Sequence, residues 1–250
     1  MQEDQSQRAR DRGALVARLS VTLATIGLLA VGAGPLAVHA GVKPLQGFSV
    51  FLLGLLLGFL GFVFGAIGLV RTRGSKGIQR SRAWTGTGLG LLLVIVLFVV
   101  ASPGRGLPHI NDITTDPDDP PPFAAAAREP ANQGRDLSYP ASFAAEQRRA
   151  YPDLRPILLS QPTAEAFVRA QRAAGQLGWK TTYSDPGAGV FEAQEISPTF
   201  LFVDDIVVRV RPEGEGSRID VRSKSRDGKG DQGVNAKRIR AFTQSVAEGK

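Results

Sequence analysis

FSVFLLGLLLGFLGFVFGAIGLV, residues 48–70, runs for 23 positions without one ionisable side chain. A helix needs about 20 apolar residues to cross a hydrocarbon core of about 30 Å, so this stretch is long enough to span a membrane. Residues 14–40 and 84–101 repeat the pattern on either side, the second at the short end of the range. Three such runs in succession have no polar face to present to water, which argues against buried core helices. The chain therefore reads as a 1–13 tail, a 14–101 three-helix membrane region and a water-soluble remainder.

The loops set the orientation. Arg71, Arg73, Lys76, Arg80 and Arg82 crowd the connection between spans two and three, and Arg8, Arg10 and Arg12 lie in the N-terminal tail. The first connection, residues 41–47, holds only Lys43. Cationic loops are retained in the cytoplasm, which places the tail and the second loop inside and everything after span three outside. The expected location is the inner (cytoplasmic) membrane, with the C-terminal domain periplasmic or otherwise extracytoplasmic. Val38-His39-Ala40 before Gly41 resembles a leader cleavage site, but the first apolar stretch exceeds the usual leader length and reads as an uncleaved helix.

The net charge of +7 and pI near 10.1 suggest a nucleic-acid partner until the charges are located. Residues 1–102 hold 10 basic and 3 acidic side chains, and residues 103–250 hold 20 of each. The excess flanks the spans, so no nucleic acid is expected as a partner. The absence of cysteine excludes disulfides, thiolate nucleophiles and cysteine metal sites. No cofactor is expected.

Gly54, Gly58, Gly61, Gly65 and Gly68 recur at spacings that keep them on one helix face. Membrane helices associate by close backbone approach at such stripes, here against span one, span three or a second copy of the chain. The bilayer and a possible homo-oligomer are the partners this half implies.

Eight of the sixteen prolines fall between Pro103 and Pro140, which reads as an extended linker over 102–140. Residues 141–250 read as a soluble α+β domain. Helices are expected over 143–150, 162–177 and 234–248. The second would turn Ala164, Phe167, Val168, Ala174 and Leu177 inward, and the third Ala236, Ile239, Phe242 and Val246. Strands are expected over 179–184, 189–196, 199–203, 205–211 and 217–226, the last two flanking Glu213-Gly214-Glu215-Gly216 as a hairpin. About four antiparallel strands and two to three helices make a two-layer sandwich.

In that hairpin Ile206, Val208, Val210, Ile219 and Val221 alternate with Arg209, Arg211, Arg218, Arg222, Lys224 and Arg226. Guanidinium forks match phosphate and carboxylate, so the basic side can hold an anion. The alternative is the solvated side of an antiparallel sheet. His109, Asp112 and Asp116 are weak metal candidates, in an Asp/Pro-rich segment that lacks the spacing of an EF-hand. There is no G-x-S-x-G elbow and no H-E-x-x-H motif, and no catalytic residue is assigned.

Two segments carry a resemblance. One is residues 110–123, with Asn-Asp-Ile, Thr-Thr-Asp and a Pro-Pro-x-Phe ending at Phe123. The other is residues 205–239, with Val207-Val208-Arg209-Val210-Arg211, Asp220-Val221-Arg222-Ser223 and Ser225-Arg226, continuing through Gly228, Asp231, Gly233, Asn235, Arg238 and Ile239. They resemble a bacterial family without an established activity, domain of unknown function 1499, and depart from its pattern at Asp227, Gly230 and Gln232. The resemblance implies a functional patch of Arg222, Ser223, Arg226, Asp231, Asn235 and Arg238, to which the basic side adds Arg209 and Arg211. The leading reading is a non-enzymatic module that binds an envelope protein or an anionic lipid or glycan. The alternatives are an envelope hydrolase or metal-assisted enzyme built on His109 and nearby aspartates, and a membrane assembly or transport accessory.

Overall fold

The computed structural model describes residues 2–74, 77–102 and 104–249. The side chains of Arg8 and Arg10, and Lys76 altogether, lie outside the described part. The chain divides into two units, Met1–Pro103 with Pro198–Leu201, and Gly104–Ser197 with Phe202–Lys250.

The first unit contains α1 (Gln2–His39), α2 (Pro44–Arg71) and α3 (Ile78–Ala101). Each is long and apolar enough to cross a membrane, α1 over Asp11–His39. Pro44 opens α2, where its fixed φ suits a first turn and its missing N–H costs nothing. All five stripe glycines are buried. A Cβ added at Gly54 would lie 2.7 Å from the carbonyl oxygen of Gly27, and one at Gly61 would lie 2.9 Å from the Cβ of Ala24, both on α1. At Gly68 it would meet Ala83 of α3 at 3.2 Å. The stripe is therefore occupied within the chain, against both other spans. This corrects its use as a homo-oligomer face, because the backbone approach that a second copy would need is already made.

The second unit is a six-stranded antiparallel sheet in the order β1-β6-β5-β4-β3, with β2 pairing β6 beside β1. The strands are β1 (Asp112–Thr114), β2 (Ile157–Leu159), β3 (Lys180–Asp185), β4 (Val190–Ile196), β5 (Val203–Glu213) and β6 (Gly216–Ser225). The expected hairpin is present, turning at Gly214 and Glu215 with Gly214 at φ +57°. Residues 199–202 form no strand. Phe202 donates its N–H to the hydroxyl of Ser197, and Ser197 donates its own to the carbonyl of Phe202, which closes a loop there.

Helices α4 (Ala141–Ala150), α5 (Thr163–Gln176) and α6 (Val234–Glu248) complete the unit. Ile206, Val208, Val210, Ile219 and Val221 meet Phe167 of α5 and Ile239 and Phe242 of α6 in one core. Trp179 stacks on Phe242 with ring centroids 5.0 Å apart. The face of α5 differs from the expected one: Ala166, Phe167, Ala170, Ala173 and Ala174 are buried, whereas Ala164 and Val168 are exposed. Three consecutive-turn alanines let this helix lie close to the sheet, and Phe167 packs edge-on against Phe191.

The Pro-rich stretch is the larger correction. Residues read as a linker belong to the sheet unit, contribute β1, and bury Ile110, Ile113, Phe123, Ala126 and Asn132. Two 3-10 turns, Ala126–Arg128 and Pro130–Asn132, continue the cover. Proline supplies extended backbone that needs few hydrogen-bond partners, so the segment can lie across a sheet face without pairing along its whole length.

Candidate functional site

Opposite the helices, β5 presents Asp205, Val207, Arg209 and Arg211, and β6 presents Arg218, Asp220, Arg222 and Lys224, in the registers Val207↔Arg222 and Arg209↔Asp220. The alternation is as expected from sequence, but the face is not a solvated one. The Pro-rich segment covers it and supplies the opposing charges.

At the centre Arg222 is 2% exposed and Asp112 is fully buried. Nε and Nη2 of Arg222 donate to the two carboxylate oxygens of Asp112 at 2.9 and 2.8 Å, and Lys224 reaches the same carboxylate at 2.8 Å. The remaining guanidinium donors go to the carbonyls of Pro121 and Leu137. The guanidinium also lies 4.8 Å from the Phe123 ring centroid and 5.6 Å from that of Tyr139. Burial pushes the Tyr139 hydroxyl well above the usual phenol range, with Asp112 adding to the effect. Buried Glu192 accepts the N–H groups of Ala124, Ala125 and Ala126 at 2.6–2.8 Å, which anchors the segment where its first 3-10 turn begins. Arg226 closes this end by pairing with Asp205 and Glu129.

The other end of the ladder opens to solvent. Arg209, Arg211 and Arg218 converge on Asp116, Asp119 and Asp220. Hydrogen bonds from Arg211 and then Arg209 hold the Asp119 carboxyl below the usual carboxylate range. Beside Asp116 and Arg218 lies a concavity of about 330 Å³, walled by α4 and the 152–156 loop. Arg148 and Arg155 also line it. Arg155 is exposed and has no ion-pair partner among the described residues.

On the helix side, Ser223 donates to Asn235 at 2.6 Å and receives a hydrogen bond from Arg238 at 3.0 Å. Arg238 also pairs with Asp204 and Glu195. The Asp231 carboxylate accepts the N–H groups of Gly233 and Asn235 at 2.9 and 2.8 Å, satisfying the first turn of α6. Its burial raises its pKa. Ser223, Asn235 and Arg238 form one cluster with Asp231 at its edge, while Arg222 and Arg226 lie across the sheet from it. Asp204 and Asp205 face opposite sides, as neighbours on a strand must.

The metal candidates do not converge. His109 lies against Gly230, whereas Asp112 and Asp116 are engaged by guanidiniums. Among the described residues, no three His, Cys, Asp or Glu side chains are grouped to hold a metal ion.

The profile of the family described as "Protein of unknown function (DUF1499)" matches residues 112–246, more than half of the chain. The chain belongs to this family. The DUF1499 match begins at the first residue of β1, so the Pro-rich cover lies inside the family domain. No curated protein matches the chain. Among solved structures, the one titled "Crystal structure of Ara h 8.0201" is 13% identical, covering 38% of this chain and 95% of that one at a TM-score of 0.21. A likeness that low carries no argument.

Sequence reasoning missed Glu129, Glu192, Glu195 and Arg155 as site residues. For the first three a signal was available: the equal numbers of acidic and basic side chains beyond residue 102 foretell pairing. The position of Arg155 had no signal, because β2 was not expected.

Proposed function

We propose that this DUF1499 protein is held in the inner membrane by its three helices with the sheet domain outside, where it binds an envelope protein or an anionic envelope component without catalysis. The orientation rests on the cationic tail and second loop. The binding reading rests on the state of the ionisable groups. The buried carboxylates and guanidiniums of the two sheet faces are locked to one another, which suits a rigid recognition surface better than proton transfer. The surface that suits such binding is where the ladder reaches solvent, at Arg211 and Arg218 and the adjoining concavity with Arg148 and Arg155. Arg222, Arg226 and Arg238 support that surface from within rather than touching a ligand.

The cysteine-free chain allows each engineered thiol to be unique. Cysteine at exposed Leu158 should react with a membrane-impermeant maleimide in cells whose outer layers are permeabilised, and cysteine at Arg73 only after lysis. The reverse pattern would reject the orientation. Mass spectrometry of detergent-extracted protein should recover a lipid, glycan or protein at stoichiometric amount, lost in Arg155→Glu. Retention of that component by the folded variant would reject the binding surface.

A further inference from the structure

We infer that the concavity beside Asp116 takes a small anion, a carboxylate or phosphate carried on a small apolar body. This inference rests on the binding reading above and names its ligand class. The lining holds three guanidiniums, of Arg148, Arg155 and Arg218, against two carboxylates, of Asp116 and Asp118. One positive charge is unmatched.

The donors differ in how firmly they are held. Arg218 is fixed by Asp116 and by the buried carboxylate of Asp220, so it forms a rigid wall. Both carboxylate oxygens of Asp116 are occupied, one by Arg218 and Arg211 and the other by the N–H groups of Asp118 and Asp119. It therefore offers an incoming anion little uncompensated repulsion. Arg148 pairs with Asp118 where the two side chains are 49% and 85% exposed. An ion pair that open is worth only about 0.2–1 kcal/mol, and Arg148 can turn to a ligand at little cost. Arg155 has no ion-pair partner to leave among the described residues.

The side chains of Gln147 and Thr115 at the back of the site are already satisfied. Gln147 exchanges hydrogen bonds with both backbone groups of Thr114, and the Thr115 hydroxyl is bound to the backbone of Val221. What remains are guanidinium donors on one side and an apolar wall of the Tyr151 ring, Leu154, Pro117, Pro152 and Pro156 on the other, with the buried Tyr151 hydroxyl unpaired among the described residues. Three prolines with fixed φ keep that wall in place before a ligand arrives, which lowers the ordering cost of binding. A volume of about 330 Å³ lies at the small end of small-molecule sites, too small for a folded partner and sufficient for a head group or a ring bearing an acid.

Isothermal titration of the full-length protein in nanodiscs with phenyl phosphate, benzoate and inorganic phosphate tests the inference. Saturable binding of phenyl phosphate or benzoate, at least tenfold tighter than inorganic phosphate, is expected; whichever of the two binds more tightly tells phosphate from carboxylate. Arg155→Gln should weaken that binding about tenfold, and Arg172→Gln, on the distant exposed surface of α5, should leave it unchanged. Binding should also weaken as salt is raised. No saturable binding of either aromatic acid, or binding insensitive to Arg155→Gln, overturns the ligand class. If the stoichiometric component above is still lost in Arg155→Glu, the surface stands and only its ligand class fails.

Discussion

The two faces of the sheet bury comparable strands in opposite ways. Beneath α5 and α6 the contacts are aliphatic and aromatic, non-directional and tolerant of small changes. Beneath the Pro-rich segment Arg222, Lys224 and Arg226 meet Asp112, Asp205 and Glu129, each contact directional and each charge dependent on one or two partners. The difference teaches that an apolar face fixes burial, whereas an ionic face fixes which segment lies on it and in what register. Removing one methyl from the first is a graded loss. Removing one charge from the second strands another in low dielectric.

The largest expected effect comes from that asymmetry. Asp112→Ala leaves Arg222 and Lys224 without their carboxylate and should cost about 3–5 kcal/mol, read from urea unfolding of the full-length protein by Trp179 fluorescence in a Trp84→Phe background. The double variant Asp112→Leu/Arg222→Met should recover part of the loss, because it removes the stranded guanidinium and leaves only Lys224 without its carboxylate. If the single and double variants are equally unstable, the ladder is not what holds the segment down.

Glu192→Gln comes next. It keeps the shape but weakens charge-assisted bonds to three successive N–H groups, with an expected cost of about 1.5–3 kcal/mol and faster amide exchange at Ala124, Ala125 and Ala126. On the apolar face Ile206→Val should cost only about 0.5–1.5 kcal/mol by the same unfolding measurement.

The apolar side was legible and the ionic side was not, for a physical reason. Ile206, Val208, Val210, Ile219 and Val221 alternate with charged residues, and alternation reports directly which side is apolar. It cannot report whether the charged side meets water or a distant segment, and Arg222 is 110 positions from its partner Asp112. Eight prolines in 38 residues then pointed to a tether, since the same composition serves an extended linker and an extended cover. The resemblance implies one patch of Arg222, Ser223, Arg226, Asp231, Asn235 and Arg238; the structure brings Ser223, Asn235 and Arg238 together and leaves Arg222 and Arg226 across the sheet. Asp231, the patch's remaining member, satisfies the first turn of α6 from its place just ahead of the helix. The short strands β1 and β2, three residues each, have no periodicity long enough to read.

The smallest effect belongs to the solvent end of the ladder. Asp119→Asn should cost less than about 1 kcal/mol, because its carboxylate is mostly exposed. Its depressed pKa gives a contribution that is present above 3.8, the unfolded value, and lost as pH falls through the lower folded one. Asp231 has the opposite sign. Its folded pKa is raised, so its contribution is complete below 3.8 and declines as pH rises through the folded value. Unfolding free energy against pH should therefore steepen at the acid end relative to Asp119→Asn, and flatten above pH 4 in Asp231→Asn.

Residues 112–140 cover the basic face, and Val207 reports on that cover. Val207 lies on that face, fully buried under Phe123 and Ala126. In this cysteine-free chain, Val207→Cys should resist a water-soluble maleimide in the native protein while Leu158→Cys labels rapidly. Equal labelling rates for the two would mean that the Pro-rich segment hangs free and the face meets water, contradicting the account.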